Sequence, residues 1–196
     1  MARLPETPSQ TAGPYVHIGL MPERAGLPLN GMGFGPDMRG HGARGEPIAL
    51  CGTIRDGMEA TVRDAIVECW QVDASGRFAG EEGADPAFGG FGRSAIDPDT
   101  GEWRFETVYP GRVRWHDGRM QAPHVTLHII ARGINRGLHT RLYFAGTTGD
   151  DPLLARIQPP ERARTMIAER DGDEWRLDIR LQQGPNGEAE TVFLDM

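Results

Sequence analysis

The stretch His124-Val125-Thr126-Leu127-His128-Ile129-Ile130-Ala131-Arg132 decides how the chain is read. Val125, Leu127, Ile129 and Ala131 fall on every second position, the period of a strand with one buried face. On a helix, His124 and His128 would share a face and offer both imidazoles to one metal. On a strand, four residues span about 13 Å, too far for two ligands that each lie about 2 Å from the same ion. The chelating spacing on a strand is His-x-His, and the position two beyond His124 is Thr126. The segment has the place for a metal-binding strand and lacks half of it. Hydrogen-bonded structural histidines are the plainer reading.

The same period recurs on both sides. Trp103, Phe105, Thr107 and Tyr109 alternate with Arg104 and Glu106, and Trp175, Leu177, Ile179 and Leu181 alternate with Arg176, Asp178 and Arg180. Ile48–Arg55 reads as a strand closed by the turn signal Asp56-Gly57. Thr61–Val72 reads as one long central strand, apolar on both faces. Thr140–Ala145 and a short Thr191–Leu194 complete the set. Pro159–Glu169, with prolines at its start, predicts a helix. The expected fold is all-β: an antiparallel-rich β-sandwich over residues 47–196 with one or two short helices. Residues 1–46 differ. Six prolines and repeated glycines leave no apolar period there. A structureless stretch of that length is too long for a connection, so it predicts an arm lying on something else.

Composition narrows the function. The chain has 196 residues with 21 basic and 28 acidic side chains, a net charge of −7. All the basic residues are arginine, which excludes Schiff-base chemistry on a lysine and the lysine-bearing phosphate loop. Net acidity argues against nucleic acid. No apolar run is long enough to span a membrane, and the N-terminal residues show no signal-peptide pattern. Cys51 and Cys69 sit in apolar runs and read as buried free thiols of a cytoplasmic protein. Gly40-His41-Gly42-Ala43-Arg44-Gly45 matches G-x-G-x-x-G, but a coil precedes it and a strand follows, so it reads as a connector. Asp97-Pro98-Asp99-Thr100-Gly101 lacks the remaining ligands of a calcium loop and reads as a turn.

One set of motifs carries a resemblance. Glu6-Thr7-Pro8-Ser9-Gln10-Thr11-Ala12-Gly13-Pro14-Tyr15-Val16-His17-Ile18-Gly19-Leu20 opens it. Val67-Glu68-Cys69-Trp70-Gln71-Val72-Asp73, Phe91-Gly92-Arg93, Ala122-Pro123-His124, Ala131-Arg132-Gly133-Ile134-Asn135, His139-Thr140-Arg141-Leu142-Tyr143-Phe144 and Glu190-Thr191-Val192-Phe193-Leu194 follow in order. Together they resemble the alpha chains of the protocatechuate 3,4-dioxygenase family, intradiol ring-cleaving dioxygenases of bacterial aromatic catabolism and the β-ketoadipate pathway. The resemblance implies a heteromer of homologous alpha and beta β-sandwich chains. It also implies that the beta chain holds the non-haem Fe(III) with two tyrosines and two histidines. Such an enzyme cleaves protocatechuate with O2 to 3-carboxy-cis,cis-muconate.

The ligand motifs depart here. The first tyrosine position is Phe78, the second, within Pro110-Gly111-Arg112-Val113-Arg114-Trp115, is Val113, and the histidine pair is His124 and Thr126. Phe78 and Val113 have no donor atom, and a threonine hydroxyl is a poor one at neutral pH. The expected metal content of this chain alone is none, and its expected activity alone is none. What the resemblance assigns to an alpha chain is part of the pocket wall at the alpha–beta junction: Thr11, Gly13, Pro14, Tyr15 and Arg132. Arg132 would then set positive charge near an aromatic acid, or else form an interface ion pair. Two alternatives stand beside this reading: a homomeric intradiol enzyme with substituted ligands, and a non-enzymatic β-sandwich binding module.

Overall fold

The structure, a computed structural model, describes residues 10–27 and 34–195. The first four residues of the arm motif, Glu6-Thr7-Pro8-Ser9, lie outside them. Nine strands follow in chain order: β1 (Pro47–Arg55), β2 (Ile66–Trp70), β3 (Phe91–Ala95), β4 (Glu102–Val108), β5 (His124–Ile130), β6 (Leu138–Phe144), β7 (Ile167–Asp171), β8 (Glu174–Arg176) and β9 (Ile179–Arg180). They run in space as β3-β2-β5-β6-β7-β8-β1-β4, with β9 also on β1. The inward side chains of β1 and β4 (Leu50, Ile54, Trp103, Phe105) share one core with those of β2, β5 and β6 (Val67, Cys69, Val125, Leu127, Ile129, Leu142, Phe144). The sheet thus folds over on itself in a sandwich-like way, with both limbs burying the face that the period-2 pattern makes apolar.

The sheet is mixed, which corrects the antiparallel-rich expectation. β1 runs parallel to β8 and β9, and β6 runs parallel to β7. Each of these neighbours returns after a long connection rather than a hairpin, and a long connection lets a strand re-enter in either direction. Other differences have local causes. Thr61 closes the turn after β1 by bridging to Arg55, so the long central strand shortens to β2. Pro160–Met166 is a 3-10 helix, and Ile167–Asp171 leaves it as β7. Trp175–Leu181 divides into β8 and β9, because the Asp178 carboxylate takes the Thr53 N–H at 2.9 Å that a ladder carbonyl would otherwise accept. Within Thr191–Leu194 only Leu194 bridges, to His139.

The described part of the arm is more regular than its composition suggested. A short helix α1 (Val16–Leu20) leads into a 3-10 turn at Pro22–Ala25. Val16, Leu20 and buried Met21 pack on Ile66 and Ala95 of β2 and β3. The Arg93 guanidinium donates to the Leu20 carbonyl at 2.7 Å. Cys51 and Cys69 are free and buried; burial pushes the Cys51 thiol up to about 12, with the Glu174 carboxylate 3.3 Å away acting in the same direction. Asp97 Oδ1 accepts the Asp99 and Thr100 N–H groups, each at 2.9 Å, so the Asp97–Gly101 segment is a turn. The Arg44 N–H donates to the Asp85 carboxylate at 2.6 Å, and the glycine-rich segment passes into β1 with no helix. No helix among the described residues is long and apolar enough to cross a membrane.

Candidate functional site

The sequence pattern places two sets of candidates on different corners. The first lies on the outer face of β2, β5 and β6, where the ladder brings distant residues into rows. Trp70 stands opposite Thr126 and Thr126 opposite Arg141; Glu68, His128 and His139 form the next row; His124 faces Tyr143. Phe78, Val113, His124 and Thr126 all line one cavity of about 250 Å³, with Trp70, Gln121 and Arg141. Four positions that the sequence connects only by resemblance therefore meet in space.

Their chemistry does not fit a ferric ion. Phe78 and Val113 offer carbon only. The His124 Nδ1 is 2.8 Å from the Ala122 carbonyl oxygen. A carbonyl only accepts, so Nδ1 donates and the lone pair is on Nε2. Burial, then the Arg141 charge, lower the His124 pKa to about 4. Arg141 was not singled out from the sequence, and it changes the site most: it puts a fixed positive charge in the wall of the cavity, where a cation would be repelled. Its Nη1 donates to Gln121 Oε1 at 2.7 Å and to the Tyr143 hydroxyl at 3.1 Å, and it lies 5.8 Å over the Trp115 ring. One imidazole and one neutral hydroxyl beside a guanidinium make no Fe(III) site.

His128 is a hydrogen-bonded structural residue. Its Nδ1 sits 3.0 Å from Glu68 Oε2, whose other oxygen accepts Arg93 Nε at 2.9 Å. The bond to His128, and then to Arg93, hold the Glu68 carboxyl below its usual range. His128 also stacks on His139 with ring centroids 4.3 Å apart.

The depressed His124 pKa gives a prediction with a definite sign. The unfolded chain takes up this proton near pH 6.5, while the folded chain resists until about 4. The His124 contribution to stability is therefore complete above pH 6.5 and is lost progressively as pH falls from there toward 4. A His124→Gln variant is expected to flatten that part of the curve of unfolding free energy against pH. An NMR titration is expected to find the His124 ring neutral at pH 5.5.

The second set lies at the end of β5. Arg132 pairs with Asp64 through its Nε, and its side chain stays 70% exposed. The neighbouring Gly133 N–H donates to Thr11 Oγ1 at 2.8 Å, which ties the arm to this corner. Gly13, Pro14 and Tyr15 follow as exposed residues, Tyr15 at 76%. Arg132, Asp64 and Gly133 line an open cleft of about 750 Å³. Asp64 is the addition the sequence did not single out. It stands two residues before β2, as Arg132 stands two after β5, and the antiparallel register Ile66↔Ile130 brings the two together.

Comparison with known proteins agrees with this geometry. The family model described as Dioxygenase matches residues 36–181. The chain is 47% identical over 199 residues to the protocatechuate 3,4-dioxygenase alpha chain of Pseudomonas putida, covering 98% of this chain and 97% of that one. It is 33% identical over 138 residues to the protocatechuate 3,4-dioxygenase beta chain of Burkholderia cepacia, covering 64% of this chain and 56% of that one. Among solved structures, catechol 1,2-dioxygenase from Pseudomonas arvilla C-1 shares the fold, with a TM-score of 0.57 at 22% identity over 84% of this chain and 63% of that one. A match of this extent to the family model, with near-complete coverage by an alpha-chain relative, means that this chain belongs to the intradiol ring-cleaving dioxygenase family.

Proposed function

We propose that this chain is the non-iron-binding alpha subunit of a protocatechuate 3,4-dioxygenase. The assembled enzyme joins protocatechuate and O2, places both oxygen atoms in the product and opens the ring to 3-carboxy-cis,cis-muconate. One observation carries the assignment of roles. The four positions that would hold a ferric ion converge here with one nitrogen donor among them, and with a guanidinium in the wall. Iron chemistry then belongs to a homologous beta chain. The full-length likeness to an alpha chain, with a shorter likeness to a beta chain, supports that division.

The alpha chain's share is wall and assembly. Thr11, Gly13, Pro14, Tyr15 and Arg132 form its side of the pocket, and the arm over residues 1–46 carries contacts to the partner. The local geometry suits both roles, since the exposed Gly13-Pro14 backbone is stiff and free of bulk and Tyr15 offers a planar face. Buried free thiols suit a reducing cytoplasm. Co-expression with a beta chain tests the proposal. Oxygen uptake on protocatechuate is expected from the co-purified pair, at least a hundredfold above this chain alone. Comparable uptake by this chain alone, together with stoichiometric iron, would favour the homomeric alternative.

A further inference from the structure

We propose that the cavity bounded by Phe78, Val113, His124 and Thr126 is a binding site for a small aromatic carboxylate, with Arg141 holding the anion. The inference concerns this chain alone and stands whether or not it pairs with a beta chain. Four observations point the same way. First, the charge is one-sided. None of the lining residues is acidic, whereas two, Arg114 and Arg141, are arginines in a chain of net charge −7. No ion pair joins Arg141 to a carboxylate among the described residues. Asp151 approaches only through the Tyr143 hydroxyl, 3.2 Å from Asp151 Oδ1.

Second, donors outnumber acceptors. The buried Arg141 Nε–H and the Trp115 Nε1–H beside it have no acceptor among the described residues. Buried donors without a partner are uncommon and costly, and a carboxylate held at Arg141, which lines the cavity, supplies an acceptor to its guanidinium. Third, the walls are apolar and aromatic. Trp70 and Phe78 stand with ring centroids 6.4 Å apart, and Val113 adds an aliphatic surface. Fourth, the size matches. The cavity of about 250 Å³ exceeds the cavity of about 150 Å³ that holds a benzene ring elsewhere, leaving room for one substituent. A guanidinium at one end and aromatic rings at the other select a planar ring bearing a single anionic group. Neutral His124, its one N–H held by the Ala122 carbonyl, leaves only an acceptor at Nε2 and adds no charge.

Trp70 lines the cavity and the Trp115 ring lies against Arg141, so intrinsic tryptophan fluorescence reads occupancy. Benzoate titrated into the full chain is expected to change that fluorescence saturably, with sulfate and benzyl alcohol each at least about tenfold weaker. Loss of a charge-assisted hydrogen bond corresponds to roughly 10- to 150-fold in affinity, and Arg141→Met is expected to weaken benzoate by that factor. Phe78→Glu alters only a half-buried residue at the wall and brings in a carboxylate. It is expected to weaken benzoate as well, which keeps the test decisive if Arg141→Met fails to fold by circular dichroism. Arg132→Ala is expected to leave this binding unchanged, which separates it from the proposed substrate wall. A non-saturable benzoate signal, or full affinity in a folded Arg141→Met or in Phe78→Glu, would overturn the site. Sulfate binding as tight as benzoate would overturn the aromatic class of ligand.

Discussion

Arg132→Ala, in enzyme assembled with a beta chain, is expected to raise KM for protocatechuate by roughly 10- to 150-fold, the worth of one charge-assisted hydrogen bond. The iron content should stay the same and kcat should fall by much less than KM rises. That split follows from the role proposed for Arg132: it meets the carboxylate of a bound substrate and takes no part in the chemistry at the ring, so it contributes uniform binding. Two features make the residue suitable. Its Nε is engaged by Asp64, which fixes the plane of the guanidinium, and the other nitrogens remain free to reach a second anion. The chain has no lysine, so an arginine is the only fixed positive charge it can bring to an anionic substrate. Asp64→Asn should loosen the guanidinium and raise KM by a smaller factor than removing it. Steady-state oxygen uptake measures both, and an unchanged KM in Arg132→Ala would remove the residue from the pocket wall.

Gly52→Ala is expected to destabilise the fold by roughly 3 kcal/mol, at the upper end of overpacking costs. For a domain of this size that lowers Tm by roughly 6–12 °C. Gly52 lies in β1 opposite Trp103 of β4. A Cβ there would collide with the Leu177 carbonyl oxygen, lie 2.7 Å from its carbonyl carbon and touch Trp103 Cζ2 at 3.0 Å. Neither obstacle is the loose end of a side chain. One is backbone, held by the Leu177 N–H bond to the Cys51 carbonyl at 2.9 Å, and the other is a fully buried indole. Gly19→Ala is the control. It lies in α1 with open space around its Cβ, and should be neutral or slightly stabilising. Thermal unfolding of the two variants separates a demand for space from a general cost of losing glycine.

Strands with a single buried face were legible because burial writes itself into alternate residues. Trp103 and Phe105 are both fully buried, and the Val125, Leu127, Ile129 series is buried throughout. The reading failed where a side chain replaced a backbone partner. Asp178 looks like one more outward residue in the Trp175–Leu181 alternation, yet its carboxylate interrupts the ladder at Thr53. The Pro159–Glu169 segment misled because proline starts 3-10 and α turns alike, and the switch to β7 depends on pairing with Tyr143 and Phe144. The site divides the same way. Which residues had lost their donor atoms could be read from motifs; that all four line one cavity required the fold. Arg141 was present in a quoted motif but carried no spacing signal of its own. Its one clue was an arginine alternating with Thr140 and Leu142, both buried.

Strand β7 belongs to both limbs of the sheet. Ile167 and Ala168 pair with β6, whereas Glu169, Arg170 and Asp171 pair with β8. During synthesis, β2, β3 and β5 can pair soon after they emerge, and β1 can pair with β4, but the other edge of β1 must wait. Its neighbours β8 and β9 lie near the other end of the chain, and Thr53 meets Asp178 across 125 residues. Contacts of that sequence separation form late and slowly. Until β7 arrives, one flank of β6 is an unpaired edge, and nascent chains with such edges are prone to associate wrongly. The order of chain emergence therefore sets a window of vulnerability that closes when this one strand is made.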